Sequence, residues 1–399
     1  MNLQLYRKID FYLGRLVLIP LTILNKLVIA FRKPVTKPHR IALLKFLGIG
    51  SIVMAYPAYR SLRKSYPDAK IDIITFENNR QLFEMLKMGD AIHTIRAESL
   101  LDFMVDFPGL AATLALKRYD ACVDLEFFSR FSQIVSFFTL APQKIGFHLN
   151  EINRGDLLTN KVNYNCRIHT SETYMRLVEE IGIVEGDGYD PAKRSTKRLE
   201  IEEGLFPKIK PSEHILKKIK NWCSSYASGY KLIIINSCGA ISQLNSWEPK
   251  SYIALCNMLI EKFRNVCIIF TGTKKDRKRI DGITDNVHEK TKVINAAGET
   301  TLRELIELIA AADMLITVDS GPGHLASLTG TKTIVLMGPD APHVNAPIGK
   351  NITPIYLGLS CSPCITPFNG KQSNCVNNIC MKKITPTDVF NAAERMLKG

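Results

Sequence analysis

At 399 residues the chain is long enough for two or three domains with sizeable cores. Its 46% apolar and 23% charged residues exclude a disordered or wholly membrane-embedded protein. A formal net charge of +14 points to acidic partners, among which nucleic acid, anionic lipid and phosphorylated small molecules qualify.

The first 33 residues stand apart. From Phe11 to Phe31 the chain is mostly apolar, yet Gln4, Lys8, Arg15, Thr22, Lys26 and Lys33 recur at separations of 4, 7, 7, 4 and 7. At helical pitch these line one narrow polar stripe. No small-residue cleavage site follows, which disfavours a signal peptide. A spanning helix has the length a bilayer needs. The cations and Pro20 fit better with a helix lying in the cytoplasmic interface, its charges toward lipid phosphates. The third reading is an arm packed on the protein's own body or on a second subunit. Residues 33–38, with two prolines, read as a linker.

Strands and helices then alternate. Ile41 to Phe46 reads as a strand, Gly48 to Ser51 as a tight turn and Ile52 to Tyr66 as a helix. Strands at 71–76, 91–95 and 121–125 alternate with helices at 78–88 and 100–117, followed by an apolar helix at 127–140 and a strand at 144–147. After a weaker stretch, His169 to Ile181 reads as a helix and Asp187 to Arg198 as an exposed connector. Alternation resumes with strands at 232–235, 266–270 and 293–294, and helices at 249–263, 274–287 and 301–312. Met314 to Val318 is a buried strand, His324 to Leu328 opens a helix, and Thr333 to Met337 is a further strand. This spacing predicts two parallel, doubly wound α/β sheets facing a central cleft, plus the N-terminal amphipathic helix. The predicted divisions are 1–38 for the interface helix and linker, 39–210 for the first sheet with its connector, and 211–399 for the second.

Ligands of such sheets sit beyond the C-terminal strand ends. In the second half those ends carry Ser237 and Gly239, then Thr271, Gly272 and Thr273, then Ala297 to Thr300, and finally Asp319, Ser320, Gly321, Gly323 and His324. Small, hydroxyl-bearing and glycine residues suit a nucleotide diphosphate, and a helix opening at Pro322 turns N–H groups toward an anion. The first half ends in Gly50 and Ser51, in Glu77 to Asn79 and in Asp124 to Glu126, a set richer in carboxylates that suits sugar hydroxyls or proton transfer.

Gly50-Ser51 with Pro57-Ala58, Trp247 after Asn236 to Gly239, and the block from Val318 through His324-Leu325-Ala326 to Gly338-Pro339 together resemble family nine glycosyltransferases, the ADP-heptose:lipopolysaccharide heptosyltransferases. The resemblance runs from about Arg40 to the C-terminus. It implies a GT-B fold of two Rossmann-like domains, a nucleotide-sugar donor (ADP-heptose) in the C-terminal domain and a lipid-linked saccharide acceptor at the N-terminal one. It also implies inversion at the anomeric carbon without a metal; with the basic N-terminal helix, a cytoplasmic protein peripheral on the inner membrane is expected. The N–H groups of Gly321 to His324, with Ser320 and the His324 ring, would stabilise charge on the departing diphosphate, while Asp319 would orient the turn or a ribose hydroxyl.

Two departures bear on mechanism. The family usually has Gly-Asp where this chain has Gly50-Ser51, and a serine hydroxyl is no base near neutral pH without its own activation. Glu126 is the expected substitute base, with Asp124 behind it. Asn245-Ser246 stands where the family often has a cation, so Lys274 or Lys275 is expected to neutralise the diphosphate.

Six of the ten cysteines (Cys122, Cys166, Cys223, Cys238, Cys256 and Cys267) lie on segments expected to be buried, as reduced thiols. Cys361, Cys364, Cys375 and Cys380 begin as C-x-x-C and suit a structural zinc, with reduced loop thiols or disulfides as alternatives. Competing functions are a catalytically silent sugar-nucleotide or glycolipid-binding homologue, a transferase using another nucleotide sugar, and a sugar-nucleotide epimerase. Nucleic-acid binding is disfavoured, because the cations are dispersed and no aromatic–basic module is present.

Overall fold

The structure is a computed structural model that describes residues 3–33, 35–149, 155–183, 204–224, 229–237 and 243–398. Two compact units divide the chain, Met1–Glu200 and Ile201–Gly399. The connector expected at 187–198 lies outside the described residues.

The first unit runs α1 (Leu3–Phe31), β1 (Arg40–Leu44), α2 (Ile49–Ser65), β2 (Lys70–Phe76), α3 (Arg80–Met85), β3 (Ala91–Ile95), α4 (Leu100–Lys117), β4 (Ala121–Asp124), α5 (Arg130–Phe138), β5 (Gln143–His148), β6 (Asn160–Asn163) and α6 (Thr170–Glu179). Its six strands are parallel, in the order β3-β2-β1-β4-β5-β6. The chain starts in the middle, winds out to one edge, then returns and winds to the other. The point of reversal lies between β1 and β4, where the loops leave a crevice. Burial on both faces explains the near-continuous apolar runs of β1 and β4. Here α2 begins at Ile49, three residues earlier than the sequence suggests. Gly48 takes φ 83, a left-handed conformation suited to glycine, and Gly50 and Ser51 fall in the first helical turn.

The N-terminal helix is tied to this unit along one face. Asp10 accepts hydrogen bonds from the Arg130 and Phe131 N–H groups at 3.1 and 2.6 Å, capping α5 from far away in sequence. Leu18 packs with Phe137 and Leu157, Asn25 donates to the Leu157 carbonyl at 3.2 Å, and Arg32 donates to the carbonyls of Leu140 and Tyr119 at 2.6 and 3.1 Å.

The second unit runs α7 (Glu213–Trp222), β7 (Lys231–Asn236), α8 (Pro249–Lys262), β8 (Val266–Thr271), α9 (Arg277–Thr284), β9 (Val293–Asn295), α10 (Leu302–Ala311), β10 (Met314–Val318), α11 (Gly321–Leu325), β11 (Lys332–Met337), α12 (Pro342–Asn345), β12 (Ile352–Tyr356), α13 (Ile379–Lys382) and α14 (Pro386–Lys398). Its sheet repeats the same winding, β12-β11-β10-β7-β8-β9, all parallel, with the reversal between β7 and β10. The core joins Ile233, Ile235, Ile316 and Val318 to Trp247, Tyr252 and α14. Trp247, buried, donates its indole N–H to the Ile384 carbonyl at 2.8 Å.

Some expectations shift. The basic helix expected over 274–287 is a short turn followed by α9, because Thr273 and Asp276 form a capping box that starts a separate turn. Cys166 is exposed rather than buried, and Cys238 lies outside the described residues.

Candidate active site

At the reversal of the first sheet, β4 delivers Glu126 against the loop that follows β1. Its Oε1 accepts hydrogen bonds from the Phe46 and Leu47 N–H groups at 2.6 and 2.9 Å and from Lys45 Nζ at 2.8 Å. The Lys45–Glu126 pair is buried, with side chains 2% and 5% exposed. Lys45 Nζ also donates to the Leu47 carbonyl at 2.7 Å. One carboxylate oxygen, Oε1, is thus engaged by three donors that fix Glu126 against the loop after β1. Asp124, beneath it, accepts from the Glu126 N–H, from Ser132 Oγ at 2.7 Å and from Gln133 Nε2 at 2.6 Å, and is buried. These contacts make Asp124 a support for the loop. Ser51 donates to the carbonyls of Leu47 and Gly48 at 2.6 and 2.8 Å, so its hydroxyl steadies the first turn of α2.

At the reversal of the second sheet, β7 ends at Asn236 and Ser237. Asn236 Nδ2 donates to the Thr271 carbonyl and Oγ1 at 3.1 and 3.2 Å, linking the ends of β7 and β8. Arg279 of α9 places Nη2 2.9 Å from the Ser237 carbonyl and 3.0 Å from its Oγ. This guanidinium at the strand end was hidden in the sequence among the five cations from Lys274 to Arg279. Lys274 and Lys275 are exposed beside it, and Lys274 packs against Gly298, whose φ of 76 and lack of a side chain permit the approach. Thr273 spends its hydroxyl on Asp276 at 2.6 Å, as a cap. The Gly272 carbonyl accepts from the Gly298 N–H at 2.8 Å. Gly239 lies outside the described residues.

The turn after β10 is clamped from three sides. Asn245 Nδ2 donates to the Asp319 carbonyl at 3.0 Å, the Asp319 N–H bonds to the Leu336 carbonyl, and Ser320 Oγ shares a 3.1 Å hydrogen bond with Thr317 Oγ1. Asn245, at the position where the family often has a cation, therefore shapes the turn. Gly323 is enclosed: a Cβ there would lie 3.3 Å from Pro347 and Thr317 side chains. Its N–H goes to the Ser320 carbonyl and Pro322 has none, so α11 offers a ligand fewer N–H groups than four residues imply. His324 is buried in the short helix, while Gly321 is partly open.

A second carboxylate, Asp340, was not singled out from the sequence. It accepts from the Ala341 N–H at 2.9 Å, Asn345 Nδ2 at 2.8 Å and Lys371 Nζ at 2.6 Å. Burial first, and the Asp340 carboxylate second, push the Asp319 carboxyl from 3.8 up to about 7, against the pull of Lys371. Two acids and a lysine so gathered beside a glycine turn form an adjustable charge centre.

The C-terminal thiols are dispersed in exposure: Cys361 and Cys375 exposed, Cys364 intermediate, Cys380 buried. Burial, then Cys364, Cys361 and Cys375, raise the pKa of Cys380, which puts the four in one neighbourhood. Among the described residues, however, no three His, Cys, Asp or Glu side chains converge as a metal ligand set.

Comparison with known proteins identifies this arrangement. The family model described as glycosyltransferase family 9 (heptosyltransferase) matches residues 109–372. The chain is 26% identical over 314 residues to lipopolysaccharide heptosyltransferase 2 of Escherichia coli K12, covering 77% of this chain and 85% of that protein. It is 29% identical over 176 residues to lipooligosaccharide heptosyltransferase 2 of Campylobacter jejuni, covering 43% and 53%. The structure of E. coli ADP-heptose lps heptosyltransferase II superposes with a TM-score of 0.69 at 22% identity, covering 90% of this chain and 98% of that one. E. coli heptosyltransferase WaaC with ADP superposes at 0.60 and 15% identity, covering 90% and 99%. Two parallel sheets wound alike, the glycine turn at 319–324 and a family match across well over half its length together establish that the chain belongs to glycosyltransferase family 9, the heptosyltransferases.

Proposed function

We propose that the protein transfers heptose from ADP-heptose, with inversion, to a lipid-linked saccharide in lipopolysaccharide core or related surface-glycan synthesis. In this reading the unit Ile201–Gly399 takes the donor and Met1–Glu200 the acceptor. The observation that carries it is the polar end of the second sheet, where Arg279 reaches Ser237 while Asp319, Asp340 and Lys371 gather at the turn.

Glycosyl transfer builds positive charge on the sugar ring and negative charge on the departing diphosphate. Arg279, with Lys274 and Lys275 nearby, supplies fixed positive charge where that diphosphate leaves, and Ser320 and His324 complete its cradle. Cations in those positions give the leaving group its counter-charge from the protein, so a metal is not needed for that task. Asp319 orients the turn and a donor hydroxyl. On the acceptor side Glu126 acts as base through Oε2, held in position by the three donors on Oε1; Gly50 and Ser51 fix the adjoining turn. The protein works at the cytoplasmic face of the inner membrane, attached through α1 to anionic lipid.

Incubation with ADP-heptose and a truncated lipopolysaccharide tests the reading. The expected result is one added heptose of inverted configuration, at a rate that a chelator changes less than about twofold. Donor binding without turnover, across donors and acceptors, would instead support a silent homologue. That second reading is favoured by one contact: Ser51 donates to two carbonyls at the place where the family usually has an acid.

A further inference from the structure

Beyond the site, two helices of the first unit carry exposed apolar stripes. On α1 the stripe is Tyr12, Leu16, Ile19, Ile23, Leu27 and Phe31, spaced by three or four residues and 56–87% exposed. On α4 it is Leu101, Met104, Val105 and Leu116, 64–83% exposed. Both helices already bury another face. Leu18 and Asn25 of α1 point inward, and Leu110 and Leu114 of α4 sit in the core. The outward residues are therefore surplus to the fold of the unit.

The two stripes belong to one layer. α5 lies between the helices: Phe131 and Val135 pack with Phe103 and Phe107 of α4, while Phe137 and Ile134 pack with Leu18 and Leu21 of α1. Phe138 belongs to both sides, meeting Phe107 edge-on at 5.4 Å and joining the Leu18 cluster. Arg32, just after α1, bonds the Tyr119 carbonyl just after α4, so the two helices end side by side. Charge is placed to match. At about 100° per residue, Arg15 and Lys26 fall about 80° to one side of the α1 stripe, and both are exposed. Arg118 is exposed at the end of α4. The acids of α4, Asp102 and Asp106, are paired with Arg96 at 3.9 and 2.7 Å, so apolar ridges with flanking cations, in a chain of net charge +14, are what an anionic lipid monolayer receives.

We propose that α1 and α4 together form a membrane-docking face, with the α4 stripe as a second lipid contact alongside the N-terminal helix. This deepens the membrane attachment proposed above, which invoked α1 alone. α1 is long and apolar enough to cross a bilayer by length and composition. Its inward bonds through Asp10, Asn25 and Arg32 keep it lying along the unit. The occupant is anionic lipid rather than a second copy of the chain, because the flanking cations would face one another across an isologous contact.

Flotation of the full chain with phosphatidylglycerol-containing and pure phosphatidylcholine vesicles tests this. Two variants are compared with wild type, Met104→Glu/Val105→Glu/Leu116→Glu on α4 and Leu16→Glu/Ile23→Glu on α1. Each is expected to lower partitioning to anionic vesicles about tenfold or more. ADP binding and the melting temperature, measured in parallel, should stay near wild type because every altered side chain is exposed. An α4 variant that floats like wild type would overturn the proposal. So would wild-type protein sedimenting as a dimer that the α4 variant dissociates while lipid binding is unchanged. Loss of heptosyl transfer with flotation intact would count against the function proposed above and leave the docking face standing.

Discussion

Burial and the neighbouring Asp340 carboxylate together set the charge state of Asp319. A carboxyl raised from 3.8 to about 7 keeps, in the folded protein, a proton that the unfolded chain has already lost. Folding stability attributable to this group therefore falls as pH rises from about 4 to about 7, and levels off above. Ionised Asp319 beside Asp340 also repels a diphosphate, so affinity for ADP should weaken as pH passes through about 7. Asp340→Asn removes the second cause of the shift and should move that midpoint to lower pH. Lys371→Met removes the opposing cation and should move it higher. Calorimetric titration of ADP across pH measures both, and an unchanged midpoint in Asp340→Asn would rule the pairing out. Glu126 offers a different test. Glu126→Gln keeps the shape but leaves the Lys45 ammonium, 2% exposed, without its counter-charge. The expected cost is about 3 kcal/mol in urea unfolding, together with loss of transfer. Loss of stability with turnover intact would reduce Glu126 to a structural clasp.

At the scale of elements, the N-terminal helix is held by few polar contacts, and Asp10 is the most consequential. Asp10→Ala strips α5 of the carboxylate on its first N–H groups, leaving Ser129 as its cap. A loss of about 1–2 kcal/mol is expected, with faster amide exchange in α1 than in β1. Exchange unchanged in α1 would mean that its apolar face alone holds it. This clasp also marks the limit of what the sequence discloses. Strand–helix alternation and the glycine turn at 319–324 were legible because each is local, written in periodicity and turn chemistry within about ten residues. Asp10 with Phe131, Lys45 with Glu126 and Asp340 with Lys371 pair across 121, 81 and 31 residues, and no local pattern encodes such pairings. Two of the four edge strands were missed for another reason. β6 reads Asn-Lys-Val-Asn with alternating exposure, and β12 contains Pro354, so neither shows the buried apolar run by which the central strands announce themselves. α7 was passed over because only Ile215 and Ile219 of its ten residues are buried.

Across the whole molecule one winding is used twice and put to different uses. In the first sheet the strand reversal carries a buried ion pair; in the second, amide, hydroxyl and guanidinium groups gather at the corresponding strand ends. The net charge of +14 acts over a longer range than either site, and its share in membrane attachment can be separated from that of the apolar stripes. Raising ionic strength from about 0.01 M to about 1 M shortens the Debye length from about 30 Å to about 3 Å. Attraction of exposed cations such as Arg15, Lys26 and Arg118 to anionic lipid, on the order of 1 kcal/mol each at the surface, is then largely screened. Burial of Leu16, Ile23, Met104 and Leu116 in the acyl boundary is not screened by salt. Wild-type binding to anionic vesicles should therefore fall by roughly tenfold to a hundredfold over that range and then reach a floor. Each stripe variant should reach a lower floor than wild type, because part of the apolar contact is gone while the cations remain. Wild-type protein released completely at high salt would mean that charge alone brings it to the membrane, and that the exposed apolar residues of both helices serve something other than lipid.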